Sequence, residues 1–174
     1  TSMGIFGFLS KAHLEQNLAS DTLIQRIQIL NDKIDSEKNS ILRQNAVIDR
    51  LEKSINRSTG TADGDIEVQQ SIIADANEKL KTLLTVETNT VKDLNDRLKV
   101  LDNNVSDILN SNKSFFNEER ASAELKASQK EEREQIAIKV AEAQDRIAEL
   151  KTDHKAETAE AKTIIATMRE GSQE

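Results

Sequence analysis

The ten residues NRSTGTADGD, 56 to 65, hold two of the five glycines in a chain of 174 residues and separate two long runs of helical periodicity. A chain that reverses there zips its first fifty residues against its next fifty. A chain that runs straight on offers both seams to other molecules.

Upstream, Ile27, Ile34, Ile41, Ile48 and Ile55 recur every seventh residue, with Leu23, Leu30 and Leu51 in the companion positions. That is an a/d heptad seam on a single helix. Downstream, Ile66, Ile73, Leu80, Leu94, Leu101, Ile108 and Phe115 hold one position, and Leu84, Val91, Leu98 and Val105 the other. The frame continues through Ile136, Val140, Ala143, Ile147, Leu150, Ala161, Ile164 and Met168. It predicts one helix over 66–168, on the order of 150 Å long at about 1.5 Å per residue.

In an antiparallel pair, facing residues share a constant sum of residue numbers. A sum of 121 sets Ile55 on Ile66, Ile48 on Ile73, Ile41 on Leu80, Leu30 on Val91, Ile27 on Leu94 and Leu23 on Leu98. It also sets Gln44 on Asn77, a polar layer able to hydrogen-bond across the seam. Two layers fit poorly, with Ile34 on Glu87 and Glu37 on Leu84, and both carboxylates are expected to reach water along their stems. The centre falls between Gly60 and Thr61, and the far end sets Phe6 on Phe115. The stretch 56–65 therefore reads as a turn, with Gly60 and Gly64 supplying freedom and Asp65 capping the second arm. Its Asp-Gly-Asp lacks the roughly 12-residue ligand pattern of a Ca²⁺ loop.

Composition agrees with helices. Apolar residues are 36% of the chain, aromatics 2% and charged residues 32%, with no proline, tryptophan, tyrosine or cysteine. Such a chain builds a narrow seam under solvated faces. The net charge of −7, with bases interleaved among acids, argues against a nucleic-acid partner. The longest early apolar island, IFGFL at 5–9, is far short of the roughly 20 residues of a spanning helix. The chain is expected to be soluble, cytoplasmic or virion-associated, with membrane contact only if the native start lies upstream. Residues 1–4 read as a tag or disordered start, because Thr1 and Ser2 ahead of Met3 resemble a cloning scar.

Beyond the hairpin of 5–116, residues 117–135 read as a solvated helical connector and 171–174 as a disordered tail. Residues 136–170 carry a seam with Ile136, Val140, Ile147, Leu150, Ile164 and Met168. The first arm is already used, so this seam is expected to associate with a second copy, a dimer being favoured; a partner helix of another protein is the alternative. A third helix folding back onto the hairpin demands wider apolar faces than those flanked by Lys81, Asn95, Arg97, Asp102, Lys139 and Arg146. In the N-terminal segment, Phe6 and Leu9 fit the hairpin seam while Leu14 and Leu18 lie on another face.

Catalytic, cofactor and metal sites are not expected. His13 and His154 are far apart in sequence and neither sits in a metal-ligand motif; His154, at an a position, is an ordinary polar defect or a pH-sensitive element. The run IQILNDKIDSEKNSILRQNAVIDRLEKSINR, 27–57, resembles coiled-coil structural proteins of tailed bacteriophages, a similarity of composition that covers about residues 20–110. It implies a virion or tail component and assigns a role to no residue. The expectation is an all-α, elongated antiparallel coiled-coil hairpin followed by a long C-terminal helix that oligomerises. Such a protein serves as a spacer or assembly scaffold, or alternatively as an adaptor or chaperone or a membrane-anchored coiled coil.

Spin labels at Ser40 and Lys81, whose numbers also sum to 121, are expected to report close neighbours. Proximity that disappears when labelled protein is diluted with unlabelled protein would make the pairing intermolecular.

Overall fold

The computed structural model describes residues 18–55, 61–111 and 118–173, with side-chain detail for 18–51, 66–111 and 119–170. The chain is all-α. Helix α1 spans Ser20–Ile55, α2 Thr61–Ser111, α3 Glu118–Ser128 and α4 Lys130–Gln173. They divide into two compact units, each a helical bundle: 1–31 with 89–144, and 32–88 with 145–174. Helices α1, α2 and α4 each contribute a segment to both units.

In the first unit, Leu23, Ile27 and Leu30 of α1 are buried, as are Val91, Leu94, Leu98, Leu101 and Val105 of α2. The third layer is α4, whose Ile136, Val140 and Ala143 are buried in the same chain. Arg133 joins them at 1% exposure. Its guanidinium donates from Nη1 to Ser20 Oγ at 3.0 Å and from Nη2 to Asp102 Oδ1 at 2.8 Å. Nε and Nη2 also donate to Gln129 Oε1, at 3.1 and 2.9 Å. Ser20 Oγ donates to Asp102 Oδ1 at 2.6 Å, closing a network across three helices. A buried cation is tolerable only when its donors are met in this way.

Gln129 is also where α3 gives way to α4. Its N–H bonds Lys126 O at 3.1 Å, three residues back, while Ser128 Oγ donates to Leu125 O. That tightening ends one helix and starts the next. The Gln129 side chain then reaches α2, Nε2 donating to Leu101 O at 2.9 Å.

In the second unit, Ile34, Ile41 and Ile48 of α1 are buried with Ile73, Leu80 and Leu84 of α2. Ile48 and Ile73, which share the sum 121, pack with Ala161 and Ile165 of α4 in one cluster. Glu87 is bidentate to Arg146, with Nε at 2.7 Å from Oε1 and Nη2 at 3.1 Å from Oε2. Glu37 pairs with Lys151 at 3.1 Å. Pairs 87/146 and 77/154 make α4 antiparallel to α2, while 37/151 and 48/161 make it parallel to α1.

The expected elongated hairpin with a free, oligomerising C-terminal helix is therefore overturned. The seam of 136–170 is consumed inside its own chain: Ile136, Val140 and Ile147 are buried, and Leu150, Ile164 and Met168 are half-buried. Ile165 carries the packing one position beyond the expected Ile164. The wider face that a third helix requires is supplied by polar groups paired across it, among them Asp102 and Arg146, which had argued against this packing. Glu37 and Glu87 meet cations rather than water.

The segment boundaries change accordingly. No single helix spans 66–168, since α3 ends at Ser128, α4 begins at Lys130, and α4 runs antiparallel to α2. Residues 117–135 are not a solvated connector, because Ala121 and Arg133 are buried. Helix α2 starts at Thr61, so Gly64 and Asp65 are helical and Asp65 is not the N-cap. Ile108 is exposed and Leu51 and Ile66 are half-buried. Gly60, Phe6, Leu9, His13, Leu14, Phe115 and the side chain of Ile55 lie outside the described residues.

Replacing Arg133 by alanine is expected to lower unfolding stability by about 3 kcal/mol, toward the lower end for a broken buried pair because Asp102 keeps some water contact. Arg120→Ala, at an exposed i,i+4 pair with Glu124, should change it by no more than about 0.5 kcal/mol. Urea denaturation of both variants measures the difference.

Candidate functional site

The second unit stacks two polar layers on an apolar groove. The first layer holds the Glu87–Arg146 and Glu37–Lys151 pairs, with Lys38 Nζ donating to Thr88 Oγ1 at 3.1 Å. About two turns further along α1 lies an amide layer. Asn77 Nδ2 donates to Asn45 Oδ1 at 3.0 Å, and Asn77 Oδ1 lies 2.7 Å from His154 Nε2. With the amide nitrogen already donating, Asn77 Oδ1 is the acceptor and Nε2 carries the proton. Thr158, fully buried one turn on, returns its hydroxyl to His154 O at 2.9 Å. Asn77 thus turns to Asn45 and His154 and not to Gln44, whose Oε1 is buried without a partner.

His154 is 9% exposed. Burial pushes its pKa below the ordinary 6.5, and Lys162 adds to the effect; Glu37 and Glu157 oppose it. Glu157 is itself paired with Lys79 at 3.0 Å. The imidazole is accordingly neutral at pH 7 and serves as a hydrogen-bonding wedge between helices.

Beyond this layer α1 and α4 part into a groove of about 380 Å³. One wall is Ser40, Arg43, Gln44, Val47 and Leu51; the other is Lys162, Ala166 and Arg169. Ile48, Ile73 and Ile165 form its floor together with Gln70. On the α4 wall the lining is an alanine between two long basic side chains. Gln70 is 2% exposed, yet neither its Oε1 nor its Nε2 has a hydrogen-bond partner. Such a buried amide costs about 1–3 kcal/mol while unmet. Three unmet amide atoms, on Gln44 and Gln70, border the same apolar space.

The expected hairpin residues divide between the two units. Ile48, Leu51 and Ile73 line the groove; Ile41 and Leu80 are buried in the same unit, while Leu23, Ile27, Leu30, Val91, Leu94 and Leu98 belong to the other unit. The heptad count did not single out Gln70. The available signal was its position opposite Leu51 in the sum of 121, where a glutamine meets an aliphatic side chain.

Among the described residues, no cluster of three or more His, Cys, Asp or Glu side chains could hold a metal. No described helix is long and apolar enough to cross a membrane. Searches of family models, curated proteins and solved structures found no match to the chain.

The lowered pKa of His154 means that the unfolded chain binds its proton more readily than the folded one. The contribution of the neutral ring is therefore complete above pH 6.5 and is lost as pH falls through the lower, folded value. Wild-type protein is expected to lose more stability between neutral pH and mildly acidic pH than His154→Gln does. Paired denaturation curves at the two pH values check this, and equal losses would count against it.

Proposed function

We propose that the protein is a non-catalytic structural module that acts as an adaptor, seating a segment of a neighbouring protein in the groove between α1 and α4. The observation that carries this reading is the groove itself: an open apolar space bordered by buried amide atoms without partners. Sites that bind join an apolar lining to a few polar groups that fix orientation. Elsewhere in the two units the buried ionisable side chains hold helices together, since Arg133, Asp102, Glu87, Arg146 and His154 all bond across helices. This supports a role by shape rather than by reaction.

A scaffold or spacer within a larger assembly is the companion role. It is supported by large apolar side chains left exposed on α1, α2 and α4, among them Leu42, Val68, Val100 and Ile138. The resemblance of residues 27–57 to phage coiled-coil structural proteins supports a virion as that assembly.

A photoreactive phenylalanine analogue at Val47, on the groove wall, is expected to give a discrete adduct with a second protein when the chain is produced in its native host. The same probe at exposed Asp93 should not. Adducts at both positions, or at neither, would refute the adaptor role.

A further inference from the structure

We propose that the groove receives an acidic amphipathic α-helix, an inference that rests on the adaptor role above and names the chemistry of the partner. Charge is the first ground. Among the described residues, the ionisable ones lining the groove are all basic, namely Arg43, Lys162 and Arg169, in a chain whose net charge is −7. A bordering trio of one sign favours an occupant of the other and disfavours one of its own, because like charges brought together at an interface are penalised.

The second ground is the backbone. The groove surface is mostly apolar, and its unmet side-chain polar atoms belong to the glutamines at positions 44 and 70. An extended peptide laid there would lack partners for most of its own N–H and C=O groups. A helix satisfies them internally, and only its side chains need matching. The walls suit it as well, for α1 and α4 run in the same direction on either side of the floor. A helix placed along them packs in the trough between two parallel neighbours.

The third ground is the spacing of the amides. The register that packs Ile48 with Ile73 sets Gln70 level with Leu51, seven residues along α1 from Gln44. That is about two helical turns, roughly 10 Å. Between the two amides the surface is Val47, Ile48, Ile73 and Ile165. An occupant that meets all of it carries polar side chains two turns apart, apolar ones between them, and carboxylates along its flanks. Gln70 offers both a donor and an acceptor, so a carboxamide from the occupant satisfies it best.

Two labelled helical peptides test the inference with the full-length protein. Both share a leucine seam with glutamines seven residues apart; one has glutamate flanks and the other lysine flanks. Fluorescence anisotropy is expected to show the acidic peptide binding at least about tenfold more tightly, with the preference weakening as salt rises. The triple variant R43E/K162E/R169E, with helicity checked by circular dichroism, should reverse the order. Ala166→Trp, which fills the groove, should weaken both peptides. Equal affinity for the two, failure of the acidic one to bind, or a preference untouched by the triple variant would overturn the inference. If the acidic peptide fails while the Val47 adduct persists, the charge assignment falls and the adaptor role stands; loss of both removes both. A dimer in solution that Ala166→Trp converts to monomer would make the occupant a second copy and overturn the proposal.

Discussion

The pairing of α4 cations with hairpin carboxylates is the constraint on which the bundle depends. Arg133 with Asp102 in one unit, and Arg146 with Glu87 in the other, bring charge into positions that a two-helix seam would leave to aliphatic side chains. Arg133 and Glu87 are the buried members of these pairs, so a shift of α4 would strand one buried charge in each unit. Leucine against leucine tolerates sliding far better than a bidentate guanidinium on a carboxylate. The ion pairs thereby select one register for α4 in each unit. The isoleucines and valines of the same layers supply the apolar burial that drives folding.

This division of labour explains how so thin an apolar helix can be a structural member. The buried face of α4 includes Ala137, Ala143, Ala161 and Thr158 beside its few large residues. Small side chains let a helix approach closely, and the approach is what lets Arg133 reach Ser20 and His154 reach Asn77. Gln129 contributes at the other end of the same helix, ending α3 and tying the start of α4 to the backbone of α2.

The two polar devices in the second unit have opposite outcomes. In the Asn45–Asn77–His154 layer, donors and acceptors match, and the arrangement fixes which way each amide faces. Around Gln44 and Gln70 they do not match. Both regions lie along the same three helices, and they differ in the side chains that α4 brings to them. Where α4 supplies histidine and threonine the layer closes, and where it supplies alanine between lysine and arginine it opens as a groove.

By itself the sequence determined that the chain is helical, and its heptads set Ile48 opposite Ile73, where the two do pack. Composition without proline, together with an unbroken seven-residue repeat, is a local property that needs no tertiary context. The destination of residues 130–173 was decided only by the tertiary structure. An apolar count treats Glu37, Glu87, Arg133 and His154 as defects, and they become assets once α4 brings Lys151 and Arg146 to the two glutamates and sets its own Arg133 and His154 on Asp102 and Asn77. The reversal that sets α4 antiparallel to α2 was also missed. The groove was less legible still. It arises from volume missing between two helices, and the residues around an absence leave no period in a sequence.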